Sequence, residues 1–260
     1  MRAKQKSAAM TGTQDYFGFE RVGAGRRQEK VDRVFGAVAS RYDVMNDLMS
    51  LGLHRAWKRH LVNRVRPRPG MRFLDLAGGT GDIAFRFLEA LGKGVEGRPV
   101  TVADINPSML ALGEKRAMDN GHWKHIEWVK ANAEKLPFGD ETFDAAVCAF
   151  GMRNMTRLER ALAEALRVLK PTARFYVLEF SSAVPAHAKK PYDFYSFKII
   201  PRMGKRVAKD EAAYRYLVES IRKFPPPKVF EGLMREAGFA RVETELLAGR
   251  LVALTSGVKV

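Results

Sequence analysis

Residues 72–83, Arg-Phe-Leu-Asp-Leu-Ala-Gly-Gly-Thr-Gly-Asp-Ile, place three glycines between an apolar run and a helical pattern. Phe73, Leu74 and Leu76 read as a buried strand with Asp75 near its carboxyl end. Gly78, Gly79 and Gly81 open backbone angles that side chains forbid, so a ligand can approach the main chain there. A chain that turns this sharply from strand to helix is committed to an α/β arrangement.

The motif also limits the ligand. A dinucleotide fingerprint needs G-x-G-x-x-G, so that pyrophosphate meets bare amides at the helix start. Here the third spacing fails, Asp75 precedes the turn and Asp82 occupies the first helical turn. These carboxylates repel pyrophosphate and suit a cationic ligand such as S-adenosylmethionine, with Thr80 inside the same turn. The alternative is a plain glycine turn in which Asp82 complements the helix dipole.

Downstream, Val100–Asp104 reads as a second short strand ending in an acid, followed by Ile105 and the helix-start sequence Asn106-Pro107-Ser108. In doubly wound sheets an acid about 20 residues past the glycines accepts hydrogen bonds from ribose hydroxyls, and Asp104 is placed for that; a strand-end cap is the simpler reading. Ile126–Val129 reads as a third strand. Asn132 and Ala133 then fall at a carboxyl edge, where an amide side chain and a neighbouring backbone amide suit adenine.

The spacing continues with a strand over Ala145–Phe150, a helix over Leu158–Leu169 and a strand over Arg174–Phe180. This alternation predicts a parallel sheet with helices on both faces. The end differs: a helix over Val229–Ala237, stopped by Gly238, precedes two strands, Ala240–Leu247 and Arg250–Thr255, around Gly249. A terminal hairpin inserts an antiparallel strand, which predicts a doubly wound, seven-stranded, mostly parallel α/β sheet of the Rossmann-like methyltransferase type.

With 260 residues, 46% apolar and 28% charged, the chain has material for one well-buried core. Residues 1–28 lack periodicity and read as a mobile basic arm; 29–260 read as one domain. Within it, 29–66 read as a helical cap, with Val31, Val34, Phe35, Val38 and Ala39 at helical spacing, and Pro67-Arg-Pro-Gly70 ends that region. Residues 181–227 read as a substrate-side insertion, whose Tyr192, Phe194, Tyr195, Phe197, Tyr214 and Tyr216 suit an apolar pocket, stacking on bases, or packing of the insertion itself.

No apolar run approaches the roughly 18 residues of a membrane helix, and the basic start lacks the apolar centre of a secretory signal. The one cysteine, Cys148, falls in a strand pattern, which excludes an internal disulfide and a cysteine-cluster metal site. His122 and His125 lack further ligand spacing and read as surface residues, so no metal is expected. The net charge of +16 favours a polyanionic partner, nucleic acid or an anionic membrane, over none.

Several motifs resemble one family, the ubiquinone/menaquinone biosynthesis C-methyltransferases of the class I S-adenosylmethionine-dependent fold. They are Tyr42-Asp-Val-Met-Asn-Asp-Leu-Met-Ser50 with Gly52 and His54-Arg-Ala-Trp-Lys58, Leu74–Asp82, Asn132–Phe138, Phe150-Gly-Met-Arg-Asn154, Val177-Leu-Glu-Phe180, and Tyr192–Phe197 with Pro201 and Gly204. The resemblance covers residue 30 to the end and implies C-methylation of a polyprenylated quinol ring. It implies cofactor contacts at Thr80, Asp104, Asn132 and Ala133, joined by Asp75, Gly78, Gly81 and Ile105 from the argument above. It puts Asp82, Arg153 and Asn154 in the catalytic wall and Tyr42, Met45, His54, Tyr192 and Tyr195 on the substrate side.

The implied partners are the quinol, an anionic membrane surface reached peripherally from the cytoplasm, and a quinone-biosynthesis complex or a homodimer. A nucleic-acid methyltransferase and a non-catalytic scaffold that keeps the fold are the competing readings. Two departures stand out: Thr172-Ala173 replaces the usual Gly-Gly, and Ala149 stands where serine is frequent. The first requires the turn to avoid positive φ or to carry strain.

Overall fold

The structure is a computed structural model that describes residues 16–23, 26–27, 29–31, 33–34, 46–47, 50–185, 194–196, 202 and 211–260. Tyr42, Met45, Tyr192, Phe35, Val38 and Ala39 lie outside the described residues, as do most of the predicted cap before Ser50 and much of the predicted insertion.

Seven strands form one sheet: β3 (Phe73–Leu76), β4 (Val100–Asp104), β5 (Ile126–Lys130), β6 (Phe143–Ala149), β7 (Leu169–Phe180), β8 (Ala240–Leu247) and β9 (Val252–Val258). Their order is β5-β4-β3-β6-β7-β9-β8, so the chain starts in the middle, winds out to β5, then crosses back to wind the other way. Strands β5 to β7 pair in parallel, and β9 enters antiparallel between β7 and β8. The terminal hairpin expected from the Gly249 turn is therefore the source of the antiparallel strand. The reversal of order between β4 and β6 puts a crevice at the carboxyl ends of β3, β4 and β6, where open parallel sheets bind ligands.

Alternation along the strands separates two cores. Phe73, Val100, Val102, Ala145, Val147, Tyr176 and Leu178 face one layer, with Trp57, Leu61, Phe87, Leu110 and Leu217 from helices α1 (His54–Val65), α2 (Asp82–Leu91), α3 (Pro107–Asp119) and α5 (Glu211–Lys223). Leu74, Leu76, Ala146, Cys148, Phe175 and Val177 face the other, against α4 (Leu158–Val168) and α6 (Pro227–Glu236). Helix α1 follows from its sequence: His54, Trp57, Lys58, Leu61, Val62 and Val65 are buried at three- and four-residue spacing. It stops at Arg66, just before Pro67.

Two parts of the chain are tied down more tightly than composition conveys. Within the predicted arm, β1 (Tyr16–Phe17) and β2 (Glu20–Arg21) form an antiparallel hairpin, and the Phe17 ring stacks on Tyr216 at 4.1 Å. Within the predicted insertion, Tyr214 and Tyr216 are fully buried on α5, so these two aromatics pack the fold. Thr172 adopts φ 67°, so the turn into the main run of β7 carries the strain that the loss of glycine implies.

Candidate active site

The glycine turn folds as its composition demands. Gly79 and Gly81 have φ of 56° and 80°, and Gly81 is the residue from which α2 starts. A Cβ on Gly78 would lie 2.7 Å from the Asp75 carboxylate carbon, and one on Gly81 would lie 2.6 Å from the Trp128 ring. Asp75 thus sits beneath the turn and Trp128 beside it. Ala77 and Phe150 are also left-handed, at φ 54° and 58°, and both line the crevice. Strain of this kind persists where surrounding structure over-determines it, as at a ligand site.

The crevice spans about 710 Å³ of space, part of it open to solvent. Of the residues singled out by sequence, Asp104, Ile105, Asn132, Ala133 and Asn154 line it together, with Gly79 and Gly151. Asp104 is anchored by backbone: Oδ2 accepts the Gly79 amide at 2.9 Å and Oδ1 the Asn106 amide at 2.9 Å. That fixes the carboxylate in the crevice wall. Asn132 accepts the Glu134 amide at 2.9 Å through Oδ1, which orients its side-chain amide at the rim.

Asp75 and Thr80 support this wall from behind. Asp75 is 1% exposed, and among the described residues no side chain hydrogen-bonds either oxygen; the Ala84 amide is its backbone support. Burial pushes its carboxyl up to about 7, against the opposing charge of Lys58. Thr80 is buried, and its hydroxyl accepts Arg116 Nη1 at 2.8 Å. A buried acid with no side-chain partner among the described residues, under a turn that exposes bare backbone and with an anchored acid across the crevice, fits a cationic nucleoside ligand.

The expected catalytic residues are held in three different ways. Asp82 Oδ2 accepts Lys58 Nζ at 2.7 Å and Oδ1 accepts Arg86 Nε at 3.1 Å. Despite burial, Lys58 and then Arg86 and Arg116 hold its carboxyl below the usual range. Arg153 is turned away from the crevice: Nη1 donates to Glu179 Oε1 at 2.9 Å and to the Phe150 carbonyl, and both ionic side chains are buried. Asn154 faces the crevice, and its Oδ1 accepts the Tyr216 hydroxyl at 3.0 Å.

On the substrate side, His54 is buried, with Nε2 2.9 Å from Asp47 Oδ1. Burial, followed by the Lys58 charge, keeps its imidazole less basic than usual. Tyr195 is half-buried against the α1 core, and burial raises its phenol pKa. Lys58, Glu179 and Arg27 were not singled out from sequence, although each partners a residue that was. Lys58 and Glu179 stand inside the quoted motifs, and a buried cation or acid at an apolar helical or strand position was the available signal. Ala149 ends β6, next to Phe150.

Comparison with known proteins accounts for this arrangement. A protein from Methylobacterium nodulans named ubiquinone/menaquinone biosynthesis C-methyltransferase UbiE is 55% identical over 247 residues, 94% of this chain and 96% of its own length. A protein of the same name from Brucella abortus is 49% identical over 99% of this chain and 95% of its own length. Mouse mitochondrial 2-methoxy-6-polyprenyl-1,4-benzoquinol methylase is 44% identical over 99% of this chain and 86% of its own length. Among solved structures, a Haloferax volcanii putative methyltransferase in complex with the activator Trm112 superposes with TM-score 0.59 at 18% identity, covering 86% of this chain and 97% of that one. An Aquifex aeolicus S-adenosylmethionine-dependent methyltransferase gives 0.56 at 17% identity, covering 78% and 89%. At that identity the structures establish the class I methyltransferase fold. The model of the ubiE/COQ5 methyltransferase family matches residues 24–259, and the chain belongs to that family.

Proposed function

We propose that this protein methylates a ring carbon of a polyprenylated quinol, benzoquinol or naphthoquinol, with S-adenosylmethionine as donor. The observation that carries the reading is the gathering of Asp104, Ile105, Asn132, Ala133 and Asn154 on one crevice, in a chain matched from end to end by relatives named for this reaction. When bound, the donor supplies an electrophilic methyl group on a sulfonium that is its own leaving group.

The chain's residues have two tasks. The first is to hold the donor: Asp104 accepts from the ribose, Asn132 and the Ala133 amide read the base, and the bare backbone at Gly79 lets it approach. Asp75 adds negative potential beneath the turn, where a cation is favoured. The second is to activate a weak carbon nucleophile, which requires that the neighbouring phenol lose its proton. Asp82 passes that proton on through water to solvent, since its Lys58 and Arg86 pairs leave it too weakly basic to keep it, and the Lys58 ammonium stabilises the phenolate. Asn154, fixed by Tyr216, orients the ring. Arg153 contributes by supporting the 150–154 loop through Glu179.

A polyprenyl tail resides in the bilayer. The charge of +16 supports peripheral attachment to anionic lipid, and no helix among the described residues is long and apolar enough to cross a membrane.

The test is transfer of labelled methyl from S-adenosylmethionine to short-chain demethylated benzoquinol and naphthoquinol, with the product mapped by mass spectrometry. Methyl on a ring carbon is expected. Measurable donor binding without transfer to either reduced quinol overturns the reading.

A further inference from the structure

Arg27 is 2% exposed, yet its four acceptors are all neutral oxygens. Nε donates to the Tyr16 carbonyl at 2.8 Å, Nη1 to the Asn154 carbonyl at 2.8 Å and to Thr156 Oγ1 at 3.1 Å, and Nη2 to the Arg153 carbonyl at 3.1 Å. Burying a guanidinium on three carbonyls and a hydroxyl, with Glu134 as its opposite charge but not its hydrogen-bond partner among the described residues, is a costly way to attach a chain segment; an apolar side chain would do it more cheaply. The donors must therefore accomplish something that packing does not.

What they hold is the loop that carries Asn154. Glu134 grips the same loop by its amides: Oε1 accepts Thr156 N at 3.0 Å and Arg157 N at 2.9 Å, and Oε2 accepts Arg157 Nε at 2.8 Å. The carbonyls of 153 and 154 thus point to Arg27 and the amides of 156 and 157 to Glu134. Glu134, Asn154 and Met155 all line the crevice. So does Val31, which is helical like Arg27 and stands one turn further along. One guanidinium therefore fixes the crevice loop and seats the segment that carries Val31.

We propose that Arg27 is a positioning residue for the ligand crevice: it holds Asn154, Met155 and Val31 in place in the crevice wall. The planar fork satisfies three directions at once, which a lysine ammonium at the end of a flexible stem does not reproduce. The donor's identity rests on the function proposed above; the role of Arg27 is read as a change in crevice affinity.

The experiment measures the dissociation constant for S-adenosylmethionine, kcat, KM and Tm in Arg27→Met, Arg27→Lys, Thr156→Val and Glu219→Ala. Glu219→Ala removes the carboxylate that accepts the Phe19 amide at 3.0 Å and loosens the same amino-terminal segment without touching the loop. Arg27→Met should weaken donor binding about tenfold or more, the effect of roughly 1.4 kcal/mol. Arg27→Lys should fall between it and the wild type. Thr156→Val, which removes one acceptor only, should weaken binding a few-fold and keeps the question answerable if Arg27→Met does not fold. Glu219→Ala should lower Tm with donor affinity within about twofold. Loss of Tm with unchanged donor affinity and unchanged kcat/KM in the Arg27 and Thr156 variants overturns the proposal and leaves Arg27 a staple. Absence of donor binding by the wild type would instead overturn the proposed function.

Discussion

Lys58 Nζ lies 2.7 Å from Asp82 Oδ2, joining the helix before the sheet to the first residue of the helix after the glycine turn. Both side chains are largely withdrawn from water, so removing the cation leaves a carboxylate without half of its compensation. Lys58→Met should cost about 3 kcal/mol at neutral pH, the scale for breaking a buried pair. Because the pair depresses the Asp82 pKa in the folded state, this contribution is present above the unfolded carboxylate range and lost as pH falls through the folded value. Urea unfolding at pH 7 and near pH 2.5 should therefore show a deficit that narrows in acid; the same deficit at both would mean that Lys58 acts through packing alone.

Arg153 and Glu179 form a second buried pair, and their geometry changes how a loss of activity should be interpreted. Burial pushes the Glu179 carboxyl up and Arg153 opposes it. Arg153→Met strands that acid and should cost about 3–5 kcal/mol. Adding Glu179→Leu should recover most of the stability, since an apolar pair of similar volume tolerates the site. Turnover measured in the stable double variant then separates support from chemistry: activity near wild type confines Arg153 to the loop, whereas a folded, donor-binding, inactive double variant gives it a catalytic part.

The sheet was legible because its signals are local. Phe73–Leu76, Val100–Asp104 and Ile126–Lys130 each carry an apolar run bounded by turn residues, and the Gly249 turn identified the antiparallel end. The donor side of the crevice was legible for the same reason, since Asp104 and Asn132 stand at strand ends. What was not legible depends on contacts across the chain. Arg27 reaches Asn154 over 127 positions, and nothing in the Gly-Arg-Arg-Gln stretch around it announces that. Asp82 reads as an available carboxylate until Lys58 is seen against it, and Arg153 as a site cation until Glu179 is seen to hold it. Tyr214 and Tyr216 look like pocket aromatics in sequence because burial of a tyrosine depends on where its helix docks.

Thr172 is a β-branched, exposed residue at φ 67°, where it costs about 1–2 kcal/mol relative to an unstrained backbone. Its amide still donates to the Lys259 carbonyl at 2.9 Å, so the turn is held from the terminal strand. Thr172→Gly removes the strain, keeps the amide and loses some of the gain to unfolded-chain entropy. A rise in Tm of about 2–4 °C is expected, the response of a chain this size to roughly 1 kcal/mol. Methyl transfer should be unchanged, because the turn lies at the amino end of β7, opposite the crevice edge. A lower Tm would show that the threonine side chain contributes more than its backbone costs.

Asp75 makes the converse pH prediction. Its folded pKa is raised to about 7 by burial, so between the unfolded carboxylate range and pH 7 the folded state holds the proton more tightly than the unfolded one. The contribution to stability is present in acid and lost as pH rises through about 7. Asp75→Asn keeps the shape without the charge, so its Tm advantage over the wild type should grow between pH 5 and pH 8 by roughly 3 °C or more, corresponding to about 1 kcal/mol. Donor affinity should move the other way, falling at pH 8, where the wild-type carboxylate is ionised under the glycine turn and the amide offers a cation nothing comparable. Thermal melts and donor titrations at the two pH values read both effects on the same samples. A variant whose Tm advantage does not grow towards pH 8, or that binds the donor as tightly as the wild type there, would mean that the Asp75 charge is already compensated in the folded chain and that its burial serves packing rather than the ligand.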